Sequence, residues 1–203
     1  MKKLVGAFLL VFLFTVSANA VITGYNCAAD GDGAITMSAI NLTNNGGEGE
    51  TLEYTLSMDG AQSDYPAHVL GDFFTDTELD PKVWIIEDVD NQTGFAWTGY
   101  KIDIGMNKTF SITSVIAPLG WTCAITSPVS GMLLPNNSIG WLGTVTYSKG
   151  TGSAIADGDS GEFGLKVEFL GGVAFCTEQT PIPEPATMSM LALGAMALVR
   201  RKK

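Results

Sequence analysis

The chain has 203 residues, and six of its 11 bases, Lys2, Lys3 and Arg200 to Lys203, stand at its two extremities. Between Val21 and Ile182 only five bases face 20 acids, a formal charge of −15. A surface this acidic repels phosphate backbones and excludes nucleic-acid binding, while 24 glycines and abundant Thr favour short strands and turns over long helices.

At the N-terminus, Lys2 and Lys3 precede the apolar run Leu4 to Val16, which closes on Ser17-Ala18-Asn19-Ala20. A charged start, thirteen apolar residues and small side chains at Ala18 and Ala20 form the three parts of a cleaved secretory signal. As a helix the run covers about 20 Å of a hydrocarbon core about 30 Å thick, too little for a lasting anchor. Residues 1–20 are therefore expected to be a signal peptide, with the Sec translocon and signal peptidase as partners. The mature chain is expected to start at Val21.

Residues 21–180 are expected to form an all-β ectodomain, a single antiparallel β-sandwich of jelly-roll or Ig-like type. Leu52, Tyr54, Leu56 and Met58 alternate with polar residues, and so do Phe163, Leu165, Val167 and Phe169. Each set predicts a strand with one buried and one wet face. Further strands are predicted over 34–42, 82–87, 97–104, 109–116, 121–126 and 139–147, giving about eight. Turn chemistry at Asn44 to Gly47, Asp59-Gly60, Asn91 to Gly94, Pro135 to Asn137, Gly150 to Gly152 and Asp157 to Asp159 separates them. From Gly171 to Ile182 a last short strand is expected to run into a linker.

The chemistry-bearing residues are few. Cys27, Cys123 and Cys176 are an odd set in a compartment that permits oxidation, so any one of three pairings leaves a thiol over. Cys27 with Cys176 is favoured if the first and last strands lie side by side. His68 is the only histidine, and no G-x-S-x-G elbow surrounds any serine, so the domain is expected not to be an enzyme and to need no cofactor. Acid pairs on Gly-containing loops suit hard cations, which makes Ca²⁺ the metal to consider, with Asp30, Asp32, Asp88 and Asp90 as first ligands. Flat aromatic faces stack on sugars, and Trp97 and Tyr100, with polar Thr98 and Gly99 between them, are the carbohydrate candidates.

At the C-terminus, Ile182-Pro183-Glu184-Pro185 leads into Ala186 to Val199, fourteen uncharged residues, and then into Arg200-Arg201-Lys202-Lys203. Basic residues after an apolar segment stay cytoplasmic, which leaves the acidic middle outside. The signal peptide demands the same topology. Pro183-Glu184-Pro185, the apolar helix 186–199 and the basic tail 200–203 together resemble the PEP-CTERM sorting signal of Gram-negative bacteria, and 181–203 is assigned as that signal. The resemblance implies recognition in the inner membrane by an exosortase, transient anchoring through a short transmembrane helix, and release to the cell surface or exterior. It also implies association with exopolysaccharide and biofilm matrix. A non-catalytic surface or matrix protein is the leading expectation; a calcium- or carbohydrate-binding sandwich module is the alternative.

Overall fold

The computed structural model describes residues 21–46, 52–76 and 81–185. The predicted signal peptide with Ala18 and Ala20, the apolar segment 186–199 and the basic tail lie outside the described residues. Among the described residues no helix is long and apolar enough to cross a membrane.

The chain forms strands β1 (Ile22–Ala29), β2 (Ile35–Gly46), β3 (Glu53–Gln62), β4 (Ala67–Thr75), β5 (Lys82–Asn91), β6 (Trp97–Met106), β7 (Phe110–Ile116), β8 (Trp121–Leu133), β9 (Ile139–Lys149), β10 (Ser160–Phe169) and β11 (Val173–Pro183). They build two sheets, one ordered β1-β4-β11-β6-β9-β8 and the other β2-β3-β5-β10-β7. The domain is a β-sandwich, as its alternating segments predict. Of the strand pairs described, only β3 with β5 is parallel, running from Glu53 opposite Lys82 to Gln62 opposite Asn91. The cause is β4, which crosses to the other sheet between them; two reversals return β5 in the direction of β3.

Strands β1 and β4 escape the sequence patterns. In β4, apolar Leu70 and Phe74 lie on the exposed face while Gly71 occupies the buried one, so alternation is blurred. Gly71 is obligatory there because a Cβ would fall 2.4 Å from the Phe175 ring. His68 lies on this strand, half-buried.

Between the sheets, Leu56, Met58, Ile85, Ile102, Ile104, Val145 and Leu165 are buried around an aromatic stack. Phe163 is its centre, 4.2 Å from the Tyr100 ring, 5.1 Å from Tyr147 and 5.9 Å from Trp121. Trp97 lies 5.3 Å from Tyr100 on the other side. Both Trp97 and Tyr100 are fully buried, which removes them as a sugar platform. A bulge explains the difference: β11 skips Thr98 when it pairs Ile182 with Gly99 and Pro183 with Trp97, so the alternation resets and both rings turn inward. Burying each such ring contributes about 2–3 kcal/mol.

The core also holds a polar network. The Tyr100 hydroxyl donates to Gln62 Oε1 at 2.9 Å, and Gln179 Nε2 donates to Glu87 Oε1 at 2.9 Å and to Thr177 Oγ1 at 2.7 Å. Gln62 Nε2 donates to the Gln179 carbonyl across the two sheets. Among the described residues, Glu87 Oε2 and Gln179 Oε1 have no hydrogen-bond partner, so the carboxylate is poorly compensated. Burial pushes the Glu87 carboxyl up to about 7, against a partial downward pull from Gln179.

The three cysteines are free. Cys27 and Cys176 do not pair because β4 separates their strands: Cys27 faces Gly71, which faces Phe175 on β11. Two strand spacings are about 9.6 Å, beyond the reach of a disulfide. Register also places Cys27 on the face of Phe175, so Cys176, the next residue along, points to the opposite side of the sheet. There its Sγ lies 3.8 Å from the Gly105 carbonyl. Cys27 Sγ lies 3.4 Å from Met58 Sδ, and burial pushes its thiol up to about 12, with Glu87 adding to the rise. Cys123 is exposed.

Two outcomes follow from these groups. Unfolded, Glu87 releases its proton near pH 4.5, whereas in the fold it holds the proton to about pH 7. The protonated group's full contribution is present below about 4.5 and is lost as pH rises through about 7. Chemical denaturation should show a loss on the order of 3 kcal/mol across that window, and Glu87→Gln should flatten its slope; a slope unchanged in the variant would contradict the assignment. Maleimide labelling of native protein at pH 8 should modify Cys123 within minutes and leave Cys27 and Cys176 unmodified until unfolding, read by peptide mass spectrometry.

Candidate functional site

The tail of β11 is the site that the sequence singles out and the fold constrains. Strand β4 pairs with β11 only from Val173 to Gln179, opposite Phe73 to Ala67. Strand β6 continues alongside as far as Pro183. Pro181, Pro183 and Pro185 alternate through this last stretch. The Glu184 amide donates to the Ala96 carbonyl at 3.2 Å, so alternation turns the nitrogens of Pro183 and Pro185 to the other side, past the end of β4. Prolines fit where no ladder donor is needed, and they strip this short edge of N–H groups that would recruit another strand.

Thr98 fastens the same segment. Its hydroxyl lies 3.2 Å from the Pro183 carbonyl and 3.5 Å from that of Ile182. Gly99 accommodates Ile182, whose Cδ1 would lie 2.9 Å from a Cβ at that position. Pro183 is thus the last residue of an internal strand and Glu184 is hydrogen-bonded to the domain, whereas the sequence predicts a linker before the motif. Thr98 was not legible as a contributor, because its role arises from the bulge that also buries Trp97.

The four predicted cation ligands fall in two places. Asp30 and Asp32 sit in the loop between β1 and β2, and with His68 they offer ligand atoms within 4.8 Å of one another. Much of this arrangement is accounted for by the loop itself. Asp30 Oδ1 accepts from the Asp32 amide at 3.1 Å, and Asp32 Oδ1 accepts from the Ala34 amide at 2.8 Å. Gly31 and Gly33 supply positive φ values of 90° and 87° between them. His68 Nδ1 faces Asp30 Oδ2 at 3.2 Å, and its Nε2 faces Glu178 Oε2 at 3.3 Å. Each ring nitrogen therefore has a carboxylate neighbour. The ring is a clamp across β4, β11 and the first loop, and Glu178 is the partner that sequence spacing could not reveal.

Asp88 and Asp90 project from the outer face of the five-stranded sheet. There Asp88 stands between Asp59 on β3 and Glu162 on β10, and Asp90 stands between Ala61 and Ser160. This acidic row is separate from the Asp30 loop. Further along the same face, Lys166 Nζ lies 4.7 Å from the Trp84 ring centroid and 2.7 Å from Glu53 Oε2. Trp84 Nε1 donates to Glu53 Oε1 at 3.1 Å. The Lys166 hydrogen bond, then its charge, hold the Glu53 carboxyl below the usual carboxylate range against partial desolvation. Lysine therefore occupies the Trp84 face that a sugar would need.

An open depression of about 710 Å³ is lined by Leu119, Trp121, Gly152, Ser153 and Asp159, among others. Trp121 is only 8% exposed and its Nε1 donates to the Ser153 carbonyl, so it presents little surface to that space.

Comparison with known proteins bears on the tail far more than on the sandwich. No curated protein matches the chain. A solved structure of TmCBM61 in complex with beta-1,4-galactotriose is similar at 10% identity over 80% of this chain and 90% of that one, with a TM-score of 0.25. At that score the likeness carries no argument about the ligand. Residues 181–203 match the PEP-CTERM protein-sorting motif, which begins inside β11 and takes in the segment that Thr98 fastens. The chain is a β-sandwich that carries a PEP-CTERM sorting signal, the address of exported proteins processed by an exosortase.

Proposed function

We infer that this chain is a non-catalytic surface or extracellular-matrix protein, delivered through the Sec translocon and signal peptidase. Exosortase handles its tail, and matrix exopolysaccharide is the partner class expected outside the cell. The observation that carries this reading is the sorting motif at 181–203, continuous with an internal strand of the sandwich. The single histidine, held between Asp30 and Glu178, supports a structural rather than a catalytic use of the domain. Membrane anchorage through 186–199 is transient in this reading, and the mature chain runs from Val21 to the motif.

Because β11 is ordered through Pro183, the domain keeps its sheet only if processing falls at or after that residue. Replacing Pro183-Glu184-Pro185 by alanines should leave unprocessed protein in the inner membrane. Intact mass of the released wild-type protein should place its C-terminus at Pro183 or beyond. Unchanged release of the alanine variant would remove the sorting claim, and a terminus upstream of Pro183 would contradict the role of β11.

Calcium binding is the second reading, favoured by the carboxylates of Asp30 and Asp32, which bring ligand oxygens within 4.8 Å of one another. A ligand at a hundred times its dissociation constant stabilises by about 2.7 kcal/mol, so millimolar calcium should raise Tm by several degrees if this loop binds the ion. The shift should then vanish in Asp30→Asn/Asp32→Asn. An unchanged melt would favour the purely structural reading.

A further inference from the structure

From Thr109 to Ser148 the chain runs forty residues without an Asp, Glu, Lys, Arg or His. The fold gathers this stretch as β7, β8 and β9 on one side of the sandwich, with β7 ending one sheet and β8 ending the other. The −15 charge of the region from Val21 to Ile182 is borne entirely by other parts of it. Among the described residues, strand β8 has a strand partner on one side only, β9. Its other side presents a row of backbone donors and acceptors.

The side chains of β8 are unusually apolar for an exposed edge. Cys123 and Ala124 are exposed, as are Ile125 (42%), Val129 (54%), Met132 (42%) and Leu133 (62%). Register places Cys123 opposite Tyr147 and Ile125 opposite Val145, both fully buried, so this face of β8 points inward, yet the opposite sheet does not reach far enough to cover it. The edge strand β2 behaves differently: it shows Thr36, Ser38 and Asn41 to solvent and buries Ile35. Free edges are normally blunted by charge. Strand β8 has none, only Pro128 and irregular pairing between Thr126 and Val129 and between Ser130 and Met132. Those features interrupt its second half and leave Trp121–Thr126 regular, with Cys123 near its middle.

We propose that Trp121–Ile125 of β8 pairs antiparallel with the same segment of a second copy of this chain, about a two-fold axis at Cys123. Two copies with this acidic surface repel one another on most approaches, and the neutral side formed by β7, β8 and β9 is where that repulsion is least. Two-fold pairing also sets Cys123 against its own copy, Thr122 against Ala124 and Trp121 against Ile125, and brings the two copies of any residue near the axis close together, which penalises a charge there; this segment has none. A second β8 covers the exposed inward face of Cys123 and Ile125 and joins the two six-stranded sheets into one. The exposed Cys123 thiol then faces its twin at a directly opposed position, where Cα atoms are about 4.5–5.5 Å apart. Five paired residues per chain fall short of a standard interface of about 1,600 Å², so the dimer forms and dissociates with concentration.

The test uses the full chain in mild detergent, with sedimentation for association and diamide oxidation followed by peptide mass spectrometry for register. Wild type should dimerise at sub-millimolar concentration and give a Cys123–Cys123 cross-link. Cys123→Ser should lose the cross-link and keep the dimer. Ala124→Lys, at an exposed position that leaves the fold intact by circular dichroism, should weaken association and slow cross-linking by about tenfold or more. About 0.5 M salt should recover part of that loss. Three results would overturn the proposal: a wild type that stays monomeric and cross-links no faster than Ala124→Lys, association indifferent to that variant, or a monomer whose Cys123 is shielded by neutral polysaccharide fragments.

Discussion

The six-stranded sheet depends on its last strand. β11 lies between β4 and β6, so it alone joins the β1-β4 pair to the β6-β9-β8 group. It also carries Gln179, whose side chain and carbonyl tie Glu87, Thr177 and Gln62 into the buried network that spans both sheets. The pairing with β4 closes a connection of about a hundred residues, and such long-range contacts are reached only after much chain entropy has been lost. The sheet is complete only when Val173 to Pro183 has been delivered.

That placement connects the domain to its address. A sorting motif on a loose tether would be indifferent to whether the domain had folded. Here the motif begins within the strand whose docking completes the sheet, and Thr98 and Ala96 hold its first residues against β6. Order in the sandwich and presentation of the tail are therefore two aspects of one set of hydrogen bonds. The alternating prolines keep the protruding edge from recruiting a further strand while leaving its carbonyls available to Thr98.

Charge is arranged with similar economy. Acids line the outer face of the five-stranded sheet, where Asp59, Asp88 and Glu162 stand abreast, while one flank is neutral over forty consecutive residues. The only buried carboxylate, among the described residues, is Glu87, and it sits beside the strand that finishes the fold. A domain built this way is kept dispersed by its acidic surface and can approach a like surface with least opposition along β8.

Much of this was legible from residues alone. Strict alternation at Leu52 to Met58 and Phe163 to Phe169 marked β3 and β10, because a side-chain period of two leaves one face dry whatever the partner strand. The tail was legible because its parts are contiguous: prolines, an apolar run and terminal bases act through local chemistry. What only tertiary structure decided was everything that depends on neighbours distant in the chain. Strand order put β4 between β1 and β11 and so kept Cys27 from Cys176. A one-residue bulge at Thr98 sent Trp97 and Tyr100 inward. His68 became the centre of a clamp because Asp30 arrives from the first loop and Glu178 from another strand, and Cys123, on the inward face of β8, stayed in solvent because the opposite sheet stops short of it. A sequence states the period of a strand; which strand lies beside it, and where the sheet ends, is settled by packing between elements that the period does not encode.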